Sequence, residues 1–393
     1  MGIFEFLKAN KPLMGLKGSI FSSLKPLFDK QELKRIKQEL NFGHVSFSQA
    51  SLGISKRIGR DNKFFVLSPK VAGAEISKFV ESTNKKIEAS VLLNHFKEFS
   101  KKADTIIPKY VAFKLHGLNK IKEAISLQLF SKENVHVLLL GDPGTGKTVF
   151  LQAVEKLHPV TAFGLGSGTT AVGLGVTIKG KSVKPGLLPQ ANGGICLIDE
   201  LNLMKKEDYA SLYSAMEKGF ISYDKGGVHK KFDANVRLLA SANPIGDKFR
   251  GTTRDAIVRQ LPFEPALLSR FTLVFLLRKP DLKTFMNIAG DIVDKNKKQI
   301  APADADFISK YVEYALSLDV DFPKKFKPSV VEFSRQIKQA EERLFFEVSP
   351  RLIHGLINLS KAYARMRLAN KVTELDVKRA KQLMWDSLEN KVN

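Results

Sequence analysis

The stretch Gly141-Asp-Pro-Gly-Thr-Gly-Lys-Thr148 constrains this chain more than any other. It fits G-x-x-x-x-G-K-[ST] and directly follows the apolar run His136-Val-Leu-Leu-Leu140. A strand that feeds a glycine-rich loop and then a helix is a phosphate-binding arrangement. Gly141, Asp142, Pro143, Gly144, Thr145 and Gly146 are expected to close their backbone around phosphate oxygens, Lys147 to reach the outer phosphates, and Thr148 to offer its hydroxyl to a Mg2+. The residues after Lys147 read as a helix whose positive end faces that anion.

From about 105 to 278 helical and strand-like runs alternate, which predicts an α/β fold with a parallel sheet flanked by helices. Gly193-Gly-Ile-Cys-Leu-Ile-Asp-Glu200 is an apolar strand ending in two acids. That pattern suits Asp199 in a Mg2+ shell and Glu200 polarising the attacking water. A third strand, Val236 to Asn243, ends in Asn-Pro, and Asn243 is expected to reach the γ-phosphate or the lytic water from between the other two motifs. Leu267-Leu-Ser-Arg-Phe271 reads as a helix end leading into a further strand. Arg270 there is a candidate arginine finger for a neighbouring subunit, which implies a closed ring. Beyond Lys279 the pattern is helical. Leu352, Leu356, Leu359 and Tyr363 share a face, with Ser349 as N-cap, Pro350 at the first helical position and Arg351 able to face a nucleotide.

Residues 1 to 104 carry no nucleotide motif. Asp29 and Glu32 suggest a capping box before a helix, and Ile54 to Leu67 suggests two strands around an Asp61-Asn62 turn, with lysines and arginines near the tip. A small DNA-binding unit is one reading and a solvated structural hairpin the other. Charge favours a polyanion as partner: 63 Lys+Arg against 40 Asp+Glu give +23. The single cysteine, Cys196, excludes an internal disulfide and a Cys-based zinc ribbon. Lys8, Lys11 and Lys17 interrupt the apolar residues at the N-terminus, so no secretory leader or membrane span is expected, and the setting is taken as cytoplasmic, or nuclear in a eukaryote.

From about Ile106 onward the chain resembles the AAA+ motor of the minichromosome-maintenance (MCM) replicative helicases. His116 to Phe130 is similar to that family's lead-in helix, and Asp199-Glu-Leu-Asn-Leu-Met204 with Ala215-Met-Glu217 resembles its Walker B region. Leu268-Ser-Arg-Phe271 resembles its finger motif and Ser349-Pro-Arg351 its second sensor. The resemblance implies a P-loop ATPase core over 105–278 and a helical lid over 279–393, using ATP and Mg2+ and acting on DNA as a homo-oligomeric, hexameric ring. It also implies a helix-2 insert from Gly168 to Leu188 and a hairpin from Ile221 to Phe232, both entering the ring channel. Lys225 matches the family's DNA-contacting lysine there, with Lys230 and Lys231 as nearby cations. Three departures stand out: glycine rather than alanine at Gly146, Tyr209 where the family usually has an arginine serving a neighbouring site, and an N-terminal region about half the expected length. Two alternatives remain. One is a remodelling ATPase of the magnesium-chelatase or MoxR type, which shares the hairpin and insert; the other is an MCM-like protein that binds ATP and DNA without unwinding.

Overall fold

The structure is a computed structural model that describes residues 56–57, 64–65 and 91–390, apart from 169–170, 180–181, 226–227, 252, 283–284, 287, 291–300 and 346. It divides into two units, Met1–Glu98 and Phe99–Asn393. In the first, β1 (Lys56–Arg57) pairs antiparallel with β2 (Phe64–Phe65), with Lys56 opposite Phe65 and Arg57 opposite Phe64. The expected hairpin is therefore present, while its turn and the capping-box helix after Asp29 lie outside the described residues.

The second unit is built on five parallel strands: β3 (Val137–Gly141), β4 (Thr161–Leu165), β7 (Ile195–Asp199), β10 (Arg237–Ala242) and β11 (Leu273–Leu277). Their order is β11-β3-β10-β7-β4. Every residue of β3, β7, β10 and β11 is buried, which is why these strands read as unbroken apolar runs instead of alternating ones. Edge strand β4 is only half-buried. On one face, Leu138, Leu140, Cys196, Ile198, Leu238, Ala240, Val274 and Leu276 join a single core with Leu212, Ala215 and Met216. A fully buried leucine in such a core contributes about 1.5–3 kcal/mol.

Two excursions leave this sheet. After β4 come a short helix (Ala171–Leu174) and a two-stranded hairpin, β5 (Val176–Lys179) against β6 (Ser182–Pro185). Before β10, β8 (Phe220–Lys225) pairs antiparallel with β9 (Val228–Asp233) from Phe220↔Asp233 to Lys225↔Val228. The expected Gly226-Gly227 tip lies outside the described residues.

Among the described residues four long helices follow: α1 (Pro302–Ser317), α2 (Lys327–Ala340), α3 (Arg351–Met366) and α4 (Glu374–Leu388). Thr373 and Asp376 form a reciprocal capping box at the start of α4. Its far end closes the sheet edge: Ser387 Oγ accepts from Val274 N at 2.9 Å and Asn390 Oδ1 from Leu276 N at 2.8 Å. These are the outward N–H groups of edge strand β11, which would otherwise be open to pairing with another chain. The helical segment is thereby tied to the strand that follows Arg270. The start of α3 differs by one residue from the expectation. Pro350 occupies the cap position, with no side-chain capping bond, and Ser349 contributes its carbonyl, accepting from Leu352 N at 3.0 Å. With the proline ring already setting a helical φ of −56°, the Ser349 hydroxyl is not needed to fix the turn.

Candidate nucleotide site

The phosphate loop leaves the C-terminal end of β3 and enters the helix Lys147–Leu157, with Gly146 at the cap position and φ of 85°. That left-handed backbone suits glycine, and a Cβ there would lie 2.8 Å from Leu115 methyls. Lys147 is buried and its Nζ donates to the carbonyls of Gly141 at 2.6 Å and Asp142 at 2.9 Å. Burial lowers its pKa, while the charges of Asp199, Asp142 and Glu200 oppose that shift. Thr145 Oγ1 donates to the Asp142 carbonyl at 2.8 Å. Pro143 and Gly144 are exposed at the loop's apex.

Asp142 is a loop residue whose carboxylate is already engaged. Oδ1 accepts from Phe249 N at 2.8 Å and Oδ2 from Lys279 N at 3.1 Å, and its own N–H donates to Leu277 O at 2.9 Å. The buried carboxylate thus stitches the loop to the segment after β10 and to the end of β11.

Because β10 lies between β3 and β7, the ends of three strands converge beside the loop. Thr148 Oγ1 donates to Asp199 Oδ2 at 2.8 Å. Ser241, fully buried on β10, donates to Asp199 Oδ1 and accepts from Glu200 N at 3.0 Å. Glu200 has φ of 55°, a left-handed conformation that costs a non-glycine residue on the order of 1–3 kcal/mol and persists only where its surroundings enforce it. Its half-buried side chain leaves the strand end in a direction that regular extension would not allow. Asn243, just past β10, donates its backbone N–H to Asn202 Oδ1 at 2.9 Å.

Ser241 and Asn202 are site residues that the motif reading passes over. Ser241 had a signal: it is a polar residue in the otherwise apolar run Leu238-Leu-Ala-Ser-Ala242, two positions before Asn243 and so on the same face of the strand. Asn202 had none beyond its nearness to the acids. Cys196 is buried in β7, and burial pushes its thiol up to about 12, which leaves it unreactive.

The two arginines form a separate cluster. Arg270 Nη2 lies 2.9 Å from Glu217 Oε1, and Arg351 Nη2 donates to that same oxygen. Among the described residues, no hydrogen bond or ion pair joins either arginine to the loop or to the acid pair. Tyr209 opens the helix Tyr209–Lys218 and is buried, with its ring 6.4 Å from that of Tyr213 and 6.3 Å from that of Phe263. It is a packing residue in this position.

On the β8–β9 hairpin, Lys230 is paired with Tyr223 and Lys231 with Ser222, so the pleat sends these two lysines to opposite faces. Both lysines are exposed, and Lys231 Nζ sits 3.8 Å over the Phe220 ring. Lys225 pairs with Val228 beside the turn.

The donor set fits the group that the loop implies. Thr148 and Asp199 present two hard oxygens within hydrogen-bonding distance of each other, as a Mg2+ shell needs. The Lys147 ammonium and the start of its helix supply positive charge beside them. Among the described residues no cluster of histidine, cysteine and carboxylate builds a separate metal site.

A loop-bearing strand separated from its acid strand by one further strand, with a helical lid behind, defines the AAA+ class of P-loop nucleotide-binding proteins. The MCM P-loop domain matches residues 92–296 and the MCM AAA-lid domain residues 306–388. The chain belongs to the MCM family. It is 30% identical over 306 residues to the minichromosome maintenance protein MCM of Saccharolobus solfataricus, covering 71% of this chain and 44% of that protein. It is 31% identical over 324 residues to the DNA replication licensing factor MCM4 of Arabidopsis thaliana, covering 74% of this chain and 38% of that protein. The alignment therefore spans less than half the length of these relatives. No helix among the described residues is long and apolar enough to cross a membrane.

Proposed function

We propose that this chain is an ATP-hydrolysing DNA motor, a helicase or translocase in which copies of the chain form a ring. The observation that carries the reading is the hydrogen-bonded series Thr148–Asp199–Ser241–Glu200 N–H, which sets an acid pair against a phosphate loop. A loop that only bound nucleotide would not require a second, conformationally constrained carboxylate beside it.

In this reading Gly141–Thr148 holds the phosphates of ATP, with Lys147 turning from its own loop carbonyls to the outer phosphate oxygens. Thr148 and Asp199 hold Mg2+, which offsets phosphate charge when bound. Glu200 accepts a proton from the attacking water at its carboxylate, and Asn243 orients that water or the terminal phosphate. Arg270 and Arg351 serve the site of the next copy, since nothing described connects them to their own loop. Lys225, Lys230 and Lys231 contact DNA through phosphates, which gives affinity without sequence preference. The excess of 63 basic over 40 acidic residues supports a polyanionic track.

The test is hydrolysis with and without single-stranded DNA, together with displacement of a strand from a fork and the mass of the assembly. We expect DNA-stimulated turnover that vanishes in Lys147→Ala and returns when Lys147→Ala and Arg270→Ala copies are mixed, because some interfaces then carry one intact half from each. Turnover indifferent to DNA would sink the motor. A second reading, ATP and DNA binding without unwinding, is favoured by Tyr209, whose buried ring supplies no cation to a neighbour; binding of both ATP and DNA with neither DNA-stimulated hydrolysis nor strand displacement would select it.

A further inference from the structure

Three elements distant in sequence meet at the arginine cluster. Arg270 follows the short helix Pro265–Leu268 and Arg351 opens α3. Tyr213 and Glu217 stand one turn apart on the helix Tyr209–Lys218, and so on a common face. The Arg270 guanidinium lies 4.3 Å over the Tyr213 ring, its Nη1 donates to Ala266 O, and its Nη2 is 2.9 Å from Glu217 Oε1. Arg351 donates to that same oxygen. Its helix can come so near because Gly355, one turn on, has no side chain: a Cβ there would lie 2.6 Å from Thr272 Cγ2, two residues past Arg270.

Two guanidiniums drawn to one oxygen repel each other, and the carboxylate between them offsets that repulsion. Each arginine is also a long side chain that loses considerable rotamer freedom when fixed. The aromatic platform and the shared carboxylate bear that cost while the chain is folding, so the pair is set before any phosphate arrives.

We propose that Glu217, with Tyr213 beneath Arg270, is a positioning residue that holds Arg270 and Arg351 as one paired cation for the polyphosphate bound at a neighbouring copy's loop. The proposal rests on the ring reading above. It deepens that reading by making the two arginines a single unit instead of two independent contacts. Glu217 touches no reacting atom in this scheme; it acts through the two cations it spaces.

The full chain is assayed for ATP turnover on single-stranded DNA as Glu217→Gln, which keeps shape and removes charge, Glu217→Asp, and Tyr213→Leu. Glu217→Gln is expected to lower kcat roughly tenfold, the scale of a lost charge-assisted hydrogen bond, with KM for ATP and the melting temperature unchanged. Glu217→Asp recovers part of that loss. Tyr213→Leu lowers kcat about threefold through loss of the cation–π contact, and keeps the test alive should the Gln variant fold poorly. Mixing Glu217→Gln copies with Lys147→Ala copies restores turnover, because the latter carry an intact arginine pair. In an Arg270→Ala background Glu217→Gln adds no further loss. A Glu217→Gln kcat within twofold of the unaltered chain, or a loss that mixing does not restore, overturns the proposal. Full activity in Arg270→Ala overturns the ring reading itself, whatever Glu217 does.

Discussion

The two ends of the parallel sheet both carry buried polar groups, and they treat them in opposite ways. At the N-terminal end, Arg237 opens β10 in complete burial and donates to Gly194 O at 3.1 Å, Gly193 O at 3.0 Å, Ser131 O and His158 Nε2 at 3.0 Å. His136 Nδ1 accepts from Leu238 N at 3.0 Å. At the C-terminal end, Asp199 and Ser241 are just as buried. There the network ends in groups with capacity to spare: an exposed Thr148, a half-buried Glu200 in left-handed backbone, and a lysine turned onto its own loop. Polar groups consumed by the protein hold the sheet; polar groups left with open valences and strain are available to a ligand. Replacing the first kind should cost stability, and replacing the second kind should cost turnover.

The largest expected effect is at the loop. Lys147→Ala should lower hydrolysis by at least about a thousandfold, the scale of a lost phosphate-stabilising cation, while the melting temperature moves little. A melting temperature that collapsed with activity would erase the distinction between the two ends.

Next is Arg237→Met, which keeps the side-chain volume but orphans the Gly193 and Ser131 carbonyls and an imidazole nitrogen, while the backbone N–H of residue 237 still serves Gly194 O. Several buried acceptors left unpaired should cost roughly 3–5 kcal/mol in a denaturant titration. ATP affinity of the folded fraction should stay within about twofold. A large loss of affinity would show that the N-terminal end reaches the site.

Acid should act at the N-terminal end first. Burial pushes His136 down to about 4, partly opposed by the Met216 carbonyl; burial and the neighbouring Arg237 charge push His158 down to about 3. Both are below 6.5, so the unfolded chain takes up these protons before the folded one. Their contribution is fully present above pH 6.5 and is lost as pH falls toward 4 and then 3. For His136 a shift from 6.5 to about 4 corresponds to about 3 kcal/mol. Denaturant midpoints measured from pH 7 to pH 4 should fall accordingly, and His136→Gln should flatten the fall.

How legible each end was in the sequence follows from the same contrast. The loop, the acid pair and the hairpin are local: glycine, lysine and paired acids at a strand end name their chemistry within eight residues, and the strand order then places Asn243 between them. The N-terminal network was invisible, because Arg237 takes partners from Ser131, His158, Gly193 and Gly194, which only the fold assembles. Glu217 was visible as a letter in a family motif but carried no role, since its partners arrive from Arg270 and Arg351. Asp142 was read as part of the loop, yet its carboxylate is spent on Phe249 and Lys279. The Ser349 cap was one residue off because serine before proline is a common helix start whether or not the hydroxyl bonds.

Ser241 belongs to both descriptions and is where the contrast is sharpest. Its side chain is fully buried and satisfied, like Arg237, yet its two partners are Asp199 and the backbone of Glu200. Ser241→Ala leaves the Glu200 N–H without its acceptor and frees one oxygen of Asp199, which should cost about 1–3 kcal/mol of stability. The same change lets Glu200 relax from φ of 55° and lets the Asp199 carboxylate rotate away from Thr148. Turnover should therefore fall about tenfold, the lesser part of what a direct catalytic group supplies, and the Mg2+ concentration for half-maximal turnover should rise. Ser241→Thr separates the two consequences: it retains the hydroxyl and adds a methyl to a packed site, so stability should drop while the Mg2+ requirement stays put. If the alanine variant lost stability alone, Ser241 would belong with Arg237, and the boundary between scaffold and site would fall at Asp199 instead of inside β10.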